Sequence, residues 1–167
     1  MQYKKHFVII LIGLLVSGCA GIQLHGLNPI DEIKLNYAYA QAENLAAEAQ
    51  YLQAAEVLWE ASANLPSPQK EKIQLESARM LIKGQHLLNA HQRLIAINEE
   101  VLEPQAVLDK RILTATFYRE VKQPEKVVSE LPEALIDEGD DALKKEALML
   151  RADGLKNTHR YIESLAT

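Results

Sequence analysis

The sequence of 167 residues has little cysteine and few aromatic residues, and each shortage excludes a class of protein. Its single cysteine, Cys19, cannot form an intramolecular disulfide, which excludes a disulfide-stabilised domain. Only 5% of the residues are aromatic, so the core must consist mainly of leucine, isoleucine, valine and alanine. The formal net charge of −5 makes the chain a poor candidate for binding nucleic acid, because such binding depends mainly on lysine and arginine contacts with phosphates.

The single cysteine follows a short apolar run at the amino terminus. Lys4 and Lys5 precede the uncharged stretch FVIILIGLLV (7–16), whose ten residues are about half of the roughly 20 that a membrane span requires. A basic start, a short apolar run and small residues after it are typical of an export signal. The following VSGC resembles the bacterial lipobox, which implies signal cleavage between Gly18 and Cys19 and acylation of Cys19. A plain signal peptide with a chance cysteine, or an amino-terminal anchor, is the alternative.

The lipobox interpretation predicts a lipid-anchored outer-membrane protein that faces the periplasm. In Gram-negative lipoproteins an aspartate after the cysteine usually retains the protein at the inner membrane, and here that residue is Ala20. Acyl chains such as palmitate, two or three of them, anchor a protein far more firmly than one chain does. Removal of the signal peptide, residues 1–18, leaves 149 residues, and the loss of Lys4 and Lys5 changes the net charge from −5 to −7. That length is sufficient for one domain.

After a lipidated tether, residues 19–28, the sequence predicts an all-α domain. Alanine, leucine, glutamate, glutamine and lysine predominate, and these residues favour helices. No stretch alternates β-branched and polar residues as a half-buried strand would. At Asn28-Pro29 a helix can begin, because asparagine caps well and proline suits the first helical position. The eight predicted helices lie at about 29–49, 51–64, 68–84, 86–98, 104–121, 124–131, 140–156 and 158–167.

Pairs of small residues twelve positions apart recur along these helices. The pairs are Ala42 and Ala54, Ala78 and Ala90, Ala115 and Val127, and Ala152 and Ser164. Their first members lie 36, 37 and 37 residues apart. Two antiparallel helices approach closely where small side chains face each other, and a single hairpin must stack on others to bury its apolar face. The spacing resembles the tetratricopeptide repeat (TPR), whose period is about 34 residues, and predicts a TPR-like solenoid of about four hairpins over residues 29–167. A non-repetitive helical bundle is the alternative.

The order of these helices, and the prolines at the starts of several of them, is clearest in three segments of the sequence. They are LPSPQKEKIQLESARMLIKGQHLLNAHQRLIAIN (65–98), LDKRILTATFYREVKQPEKVVSELPEAL (108–135) and EALMLRADGLKNTHRYIESLAT (146–167). Together they resemble the amino-terminal region of the LppC/LpoA family. This resemblance implies an outer-membrane lipoprotein that binds and activates a class A penicillin-binding protein, the synthase that polymerises and crosslinks peptidoglycan, and so regulates cell-wall synthesis and cell shape. Family members continue into a large α/β domain, so we expect a truncated member.

The sequence contains no pattern that indicates an enzyme. It has no Ser/His/Asp or glycine-rich phosphate motif, and no carboxylate pair can be singled out among its 23 acidic residues. His86 and His91 are five residues apart, whereas metal ligands on one helical face are usually three or four apart. We therefore expect neither a metal nor a cofactor. In DEGDD (137–141), Asp140 or Asp141 is predicted to cap the helix that begins near residue 142.

The basic residues Lys72, Arg79 and Lys83, at offsets of zero, seven and eleven, share one face of the helix predicted at 68–84. In stacked hairpins the first helices line the concave surface, so this stripe predicts a site for an acidic peptide or protein partner. An ordinary solvated face is the alternative. The alternative function is that of a TPR scaffold lipoprotein in another envelope machine, for β-barrel assembly or pilus biogenesis.

Overall fold

A computed structural model describes residues 27–165 of the chain, with side chains described as far as Thr158. In this part the chain forms helices and no strands, which confirms the predicted all-α class. The α-helices are α1 (Pro29–Ala47), α2 (Tyr51–Ser62), α3 (Gln69–Lys83), α4 (Leu87–Ala96), α5 (Pro104–Glu120), α6 (Pro124–Glu130), α7 (Glu133–Ile136) and α8 (Asp141–Leu165). A single 3₁₀ turn, Glu99–Val101, separates α4 from α5. The predicted cleavage site, Gly18 and Cys19, lies outside the described residues.

Local sequence signals place most helix ends correctly. The Asn28 Oδ1 accepts the backbone N–H groups of Ile30 and Asp31 at 3.1 and 3.0 Å, and Pro29 is the first residue of α1. The Asp140 Oδ1 accepts the N–H groups of residues 142 and 143 at 3.0 and 2.9 Å. These two side chains satisfy donors that a helix start leaves unpaired, so both predicted caps are confirmed.

Three interhelical turns share one geometry, and they recur with the predicted period. Ala49, Gln85 and Lys122 have left-handed φ angles of 59°, 60° and 59°, and they lie 36 and 37 residues apart. In each turn the next residue donates its N–H to the carbonyl five positions earlier, at 2.8, 2.8 and 2.9 Å for Gln50 to Leu45, His86 to Leu81 and Gln123 to Tyr118. This is the Schellman arrangement, which ends a helix and reverses the chain. The turns join α1 to α2, α3 to α4 and α5 to α6.

The small residues of the first three predicted pairs lie inside the protein. All six are at most 1% exposed: Ala42, Ala54, Ala78, Ala90, Ala115 and Val127. The fourth pair departs from the pattern, because Ala152 is exposed and Gly154 is buried. A Cβ atom on Gly154 would lie 3.0 Å from Val128 Cγ2 and 3.1 Å from the Pro124 carbonyl oxygen. The prediction for Ala152 is therefore wrong, because α8 meets α6 at a glycine two residues later; the side chain of Ser164 lies outside the described part.

The last helix also differs from the prediction. Helices were predicted at 140–156 and 158–167, whereas α8 runs without a break from Asp141 to Leu165. Neither glycine nor proline occurs between 155 and 163, and the Thr158 hydroxyl donates to the Gly154 carbonyl at 2.9 Å within the helix. The four-residue helix α7 was not predicted, whereas the helix predicted at 124–131 corresponds to α6, which ends at Glu130 before Pro132.

The helices pack mainly on their neighbours in the chain, and α3, α5 and α8 also lie side by side. Three apolar clusters follow one another along this arrangement: around Leu58 and Ile73, around Leu81 and Leu94, and around Leu108 and Ile112. Because α3, α5 and α8 lie side by side, they form one continuous surface of the protein. Of the helices in the described part, none combines the length and the apolar character that crossing a bilayer requires.

Candidate protein-binding face

The basic residues predicted on α3 lie on one side of that helix, and two of them bond to carboxylates of α5 or of Glu103, the residue directly before it. Arg79 Nη2 lies 2.6 and 2.7 Å from the two carboxylate oxygens of Asp109. Lys72 Nζ lies 3.3 Å from Glu103 Oε1, whereas Lys83 is exposed at the end of α3. An acidic partner would therefore have to compete with these carboxylates for two of the three cations. The binding role of Lys72, Arg79 and Lys83 stays a prediction.

Arg79 is the centre of a partly buried cluster of charges. Its Nε lies 3.4 Å from Glu76 Oε2. Burial lowers the pKa of Arg79, but Asp109 and Glu76 outweigh this effect and raise the pKa above its ordinary value. Burial raises the pKa of Glu76; Arg79 and Lys83 only partly offset this effect, and the charge of Asp109 adds to it. The pKa of Tyr39 on α1 is raised by burial and by Glu76, so the cluster extends across α1, α3 and α5.

A groove of about 420 Å³ lies between α5 and α8. It is lined by Thr116, Arg119, Ala142, Lys145, Glu146, Met149, Leu150 and Asp153. Leu150 is buried, whereas Met149 is 65% exposed and offers an apolar surface. Because α5 packs on both α3 and α8, the groove and the Arg79 cluster lie on adjacent helices, and the charge of Glu146 also helps to raise the pKa of Arg79. We call this surface, formed by Arg79, Asp109, Lys145, Glu146 and Met149, the α3–α5–α8 face.

The α3–α5–α8 face has the chemistry of a surface that binds a peptide or protein. Both cations and carboxylates line it, and the exposed side chain of Met149 adapts readily to an apolar side chain. An extended segment with one apolar residue between charged residues would complement these groups.

The groove residues were not predicted from the sequence, although the repeat period indicates the positions of some of them. The spacing that pairs Ala78 with Ala115 also places Thr116 at the position of Arg79. The position of Thr116, which lines the groove on α5, could thus have been predicted from the repeat period. The same spacing places Asp153 of α8, another residue that lines the groove, at this position.

A second group of ion pairs ties the 3₁₀ turn to α5 and α6. Glu99 accepts hydrogen bonds from Arg111 at 2.7 Å and from Lys110 at 3.1 Å, and Arg111 also bonds to Glu130 at 2.7 Å. Burial would raise the pKa of Glu99, but the bonds from Arg111 and Lys110 outweigh it, and the pKa lies below its usual value. The buried Lys110 also donates to the Ile97 carbonyl at 3.1 Å. This group fixes the connection between α4 and α5.

The opposite pKa shifts of Glu99 and Glu76 predict opposite pH dependences for two substitutions. Because the folded pKa of Glu99 is lowered, its ionised form stabilises the fold above the unfolded pKa, and this contribution is lost as the pH falls through the folded pKa. We expect Glu99→Gln to reduce the free energy of unfolding at pH 7 by about 1 to 2 kcal/mol, the scale of hydrogen bonds to charged groups. In urea titrations between pH 7 and pH 3 this cost should shrink on acidification.

The matched variant Glu76→Gln should behave in the reverse sense. Because the folded pKa of Glu76 is raised, the wild-type protein gains stability relative to this variant as the pH falls through the folded pKa. At pH 7 the variant should equal the wild type or slightly exceed it. A cost of Glu99→Gln that stays constant with pH would contradict the assignment of the bonds around Glu99.

The two histidines that the sequence analysis considered lie apart from the α3–α5–α8 face. His86 is exposed at the start of α4, and His91 stacks on Phe117 with ring centroids 4.1 Å apart. Across residues 27–158, no three groups from His, Cys, Asp and Glu are arranged to hold a metal ion. No protein-family model, curated protein or solved structure matches the chain.

Proposed function

We propose that the protein is a TPR-like binding module, anchored by lipid to the outer membrane and facing the periplasm, which binds and activates a peptidoglycan synthase of the class A penicillin-binding type. It acts as a regulator of cell-wall synthesis and has no catalytic role of its own. The observation that carries the proposal is the recurrence of one helix–turn–helix unit. The same Schellman turn occurs at Ala49, Gln85 and Lys122, with spacings of 36 and 37 residues.

The solenoid arrangement is supported by how these units pack. Each unit pairs two helices across its turn, and α2 packs on α3 and α4 on α5, so successive hairpins are in contact. Small residues such as Ala54, Ala78 and Ala90 are fully buried, which allows the close approach that stacked hairpins need. In a solenoid the stability is shared between neighbouring units, and an extended surface is left for a partner.

The anchor is supported by the amino-terminal sequence. Basic residues, a short apolar run and the VSGC stretch end at Cys19, ten positions before α1 begins at Pro29. Acylation at Cys19 would hold the helical module at the outer membrane, on the side that faces the periplasm. From there the module would reach across the periplasm to the synthase. The choice of a class A synthase as partner depends on the resemblance to the LppC/LpoA family.

The mechanism we propose is activation by contact. The α3–α5–α8 face would receive a segment of the synthase, with an apolar side chain against Met149 and charged side chains opposite Lys145 and Glu146. Because charged groups at the rim of an interface mainly set specificity and the association rate, the complex should weaken as salt rises.

The test is a binding and activity assay with a purified class A penicillin-binding protein. Lys145→Glu should weaken binding about tenfold, which is about 1.4 kcal/mol, and should remove most of the stimulation of glycan polymerisation. Lys122→Glu makes the same charge change at an exposed turn residue outside the face, and it should leave both quantities unchanged. If the wild-type chain retains no synthase but captures barrel-assembly or pilus components, the alternative scaffold function replaces this proposal.

A further inference from the structure

One side of α1 carries apolar side chains that its neighbours leave exposed. Ile30, Ile33 and Tyr37 are 65%, 69% and 73% exposed, and their spacing of three and four residues places them in one row along the helix. Roughly opposite this row, Leu35 and Ala42 are buried in the cluster that α1 forms with α2. An exposed apolar row on a solvated helix marks an interaction surface.

The charges around this row identify the kind of surface that it suits. Lys34 lies beside the row, and the carboxylates of Asp31, Glu32 and Glu43 lie toward other sides of the helix, as its period of 3.6 residues requires. The one carboxylate on the side of the row is that of Glu48, which lines a shallow pocket with Tyr37 just past the carboxyl end of α1. A row of isoleucines with a tyrosine and one lysine matches the boundary between lipid headgroups and acyl chains. Tyrosine is enriched at that boundary, because its ring is apolar and its hydroxyl is polar.

The length of chain before α1 places the row near a membrane. Pro29 lies ten positions after Cys19, and the fully extended chain between them spans at most about 35 Å. Ile30 is the next residue, so with Cys19 acylated α1 is the described helix held nearest to the bilayer. Such tethering raises the effective concentration of the bilayer around the row, so that a contact that is weak by itself becomes occupied.

We infer that Ile30, Ile33 and Tyr37 lie in the headgroup region of the bilayer that holds the acyl chains, with α1 parallel to the membrane. The inference rests on the proposed acylation of Cys19. Because α2 packs on the other side of α1, the hairpins then extend away from the lipid. A single acyl chain alone gives only marginal membrane binding, and three side chains bury less apolar surface than that chain. The row therefore orients the anchored module rather than recruiting it.

A tryptophan reporter tests this contact. Trp59→Phe removes the only tryptophan, and Tyr37→Trp then places the reporter in the row. Ile95→Trp in the same background is the matched control, because Ile95 on α4 is 70% exposed. The lipidated full chain is incorporated into phosphatidylethanolamine–phosphatidylglycerol vesicles that contain brominated acyl chains. Bromine should quench the reporter at position 37 about threefold more strongly than at position 95, because only the former lies in the interface.

A further substitution distinguishes a specific contact from general proximity to the vesicle. Ile33→Glu should reduce quenching at position 37 to the control level, whereas Leu88→Glu, at an equally exposed site on α4, should not change it. Equal quenching at 37 and 95 in vesicles that float with the protein overturns the inference and leaves the anchor intact. Failure of the chain to float with the vesicles overturns both the anchor and the inference. Protection of position 37 from iodide without quenching by bromine shows that protein covers the row, which also overturns the inference.

Discussion

Replacement of Arg93 by alanine is expected to lower the free energy of unfolding by about 3 kcal/mol, because it removes several hydrogen bonds, a contact with an aromatic ring and the packing of a nearly buried side chain. The side chain of Arg93 is only 12% exposed. Its guanidinium donates to the Ala55 carbonyl at 3.0 Å, contacts Ser77 Oγ and Glu56, and lies 4.8 Å from the centre of the Trp59 ring. One side chain of α4 therefore connects α2 and α3, and its removal leaves these acceptors with fewer partners.

The size of the expected loss in the free energy of unfolding follows from the contacts that remain after Arg93 is replaced by alanine. Glu56 has a side chain 47% exposed, so water can solvate its carboxylate once Arg93 is gone. The Ala55 carbonyl keeps the hydrogen bond from Ser77 Oγ at 2.8 Å. The cost should thus come mainly from the lost hydrogen bonds, the lost contact with the Trp59 ring and the cavity between the helices.

The measurement is urea denaturation of the full chain, followed by circular dichroism. Arg119→Ala is the matched control, because the side chain of Arg119 is 44% exposed and pairs with its neighbour Glu120. Exposed pairs contribute little, so this variant should stay within about 0.5 kcal/mol of the wild type. Arg93→Lys should recover only part of the loss, because lysine lacks the planar fork that reaches several acceptors. Equal stability of Arg93→Ala and Arg119→Ala would refute the role of Arg93.

The sequence predicted those features of the fold that depend on neighbouring residues. Asn28 and Asp140 cap helices, because a cap requires only a short polar side chain beside the first turn. The burial of Ala78 and Ala115 was likewise predictable, because a period of about 36 residues relates positions in equivalent hairpins. Such signals need no knowledge of how one helix is placed against the next.

The features that sequence reasoning missed depend on the alignment of helices distant in the chain. Arg79 and Asp109 are 30 residues apart, and their hydrogen bonds form only because α3 and α5 pack in one particular register. Charge spacing on α3 alone therefore predicted a free cationic stripe. The contact of Arg93 with Trp59 has the same origin, since residues of α2 and α4 meet across α3. The groove beside Lys145 similarly requires the position of α8 against α5.

The second large effect on stability is expected when small buried residues are replaced by larger ones. These substitutions distinguish positions where two helices are in contact from positions that only the repeat period indicates. Ala78→Leu adds three carbon atoms at a fully buried site where Ala55 and Ala90, also fully buried, belong to the same cluster. Since closely packed helices have no space for these atoms, we expect a loss of about 3 kcal/mol in the free energy of unfolding. Gly154→Leu should cost a similar amount, because even a Cβ there lies 3.0 Å from Val128 Cγ2.

Ala152→Leu is the decisive control for this pair. It lies two residues before Gly154 on the same helix, and the period of 37 residues would give it the same role as Ala115, yet it is exposed. Leucine and alanine both favour helices, so this variant should remain within about 0.5 kcal/mol of the wild type. Urea titration of the three variants measures the differences directly. A large loss for Ala152→Leu with a small loss for Gly154→Leu would mean that α8 packs through the residue that the period indicates, and that its position against α6 is different from the one described.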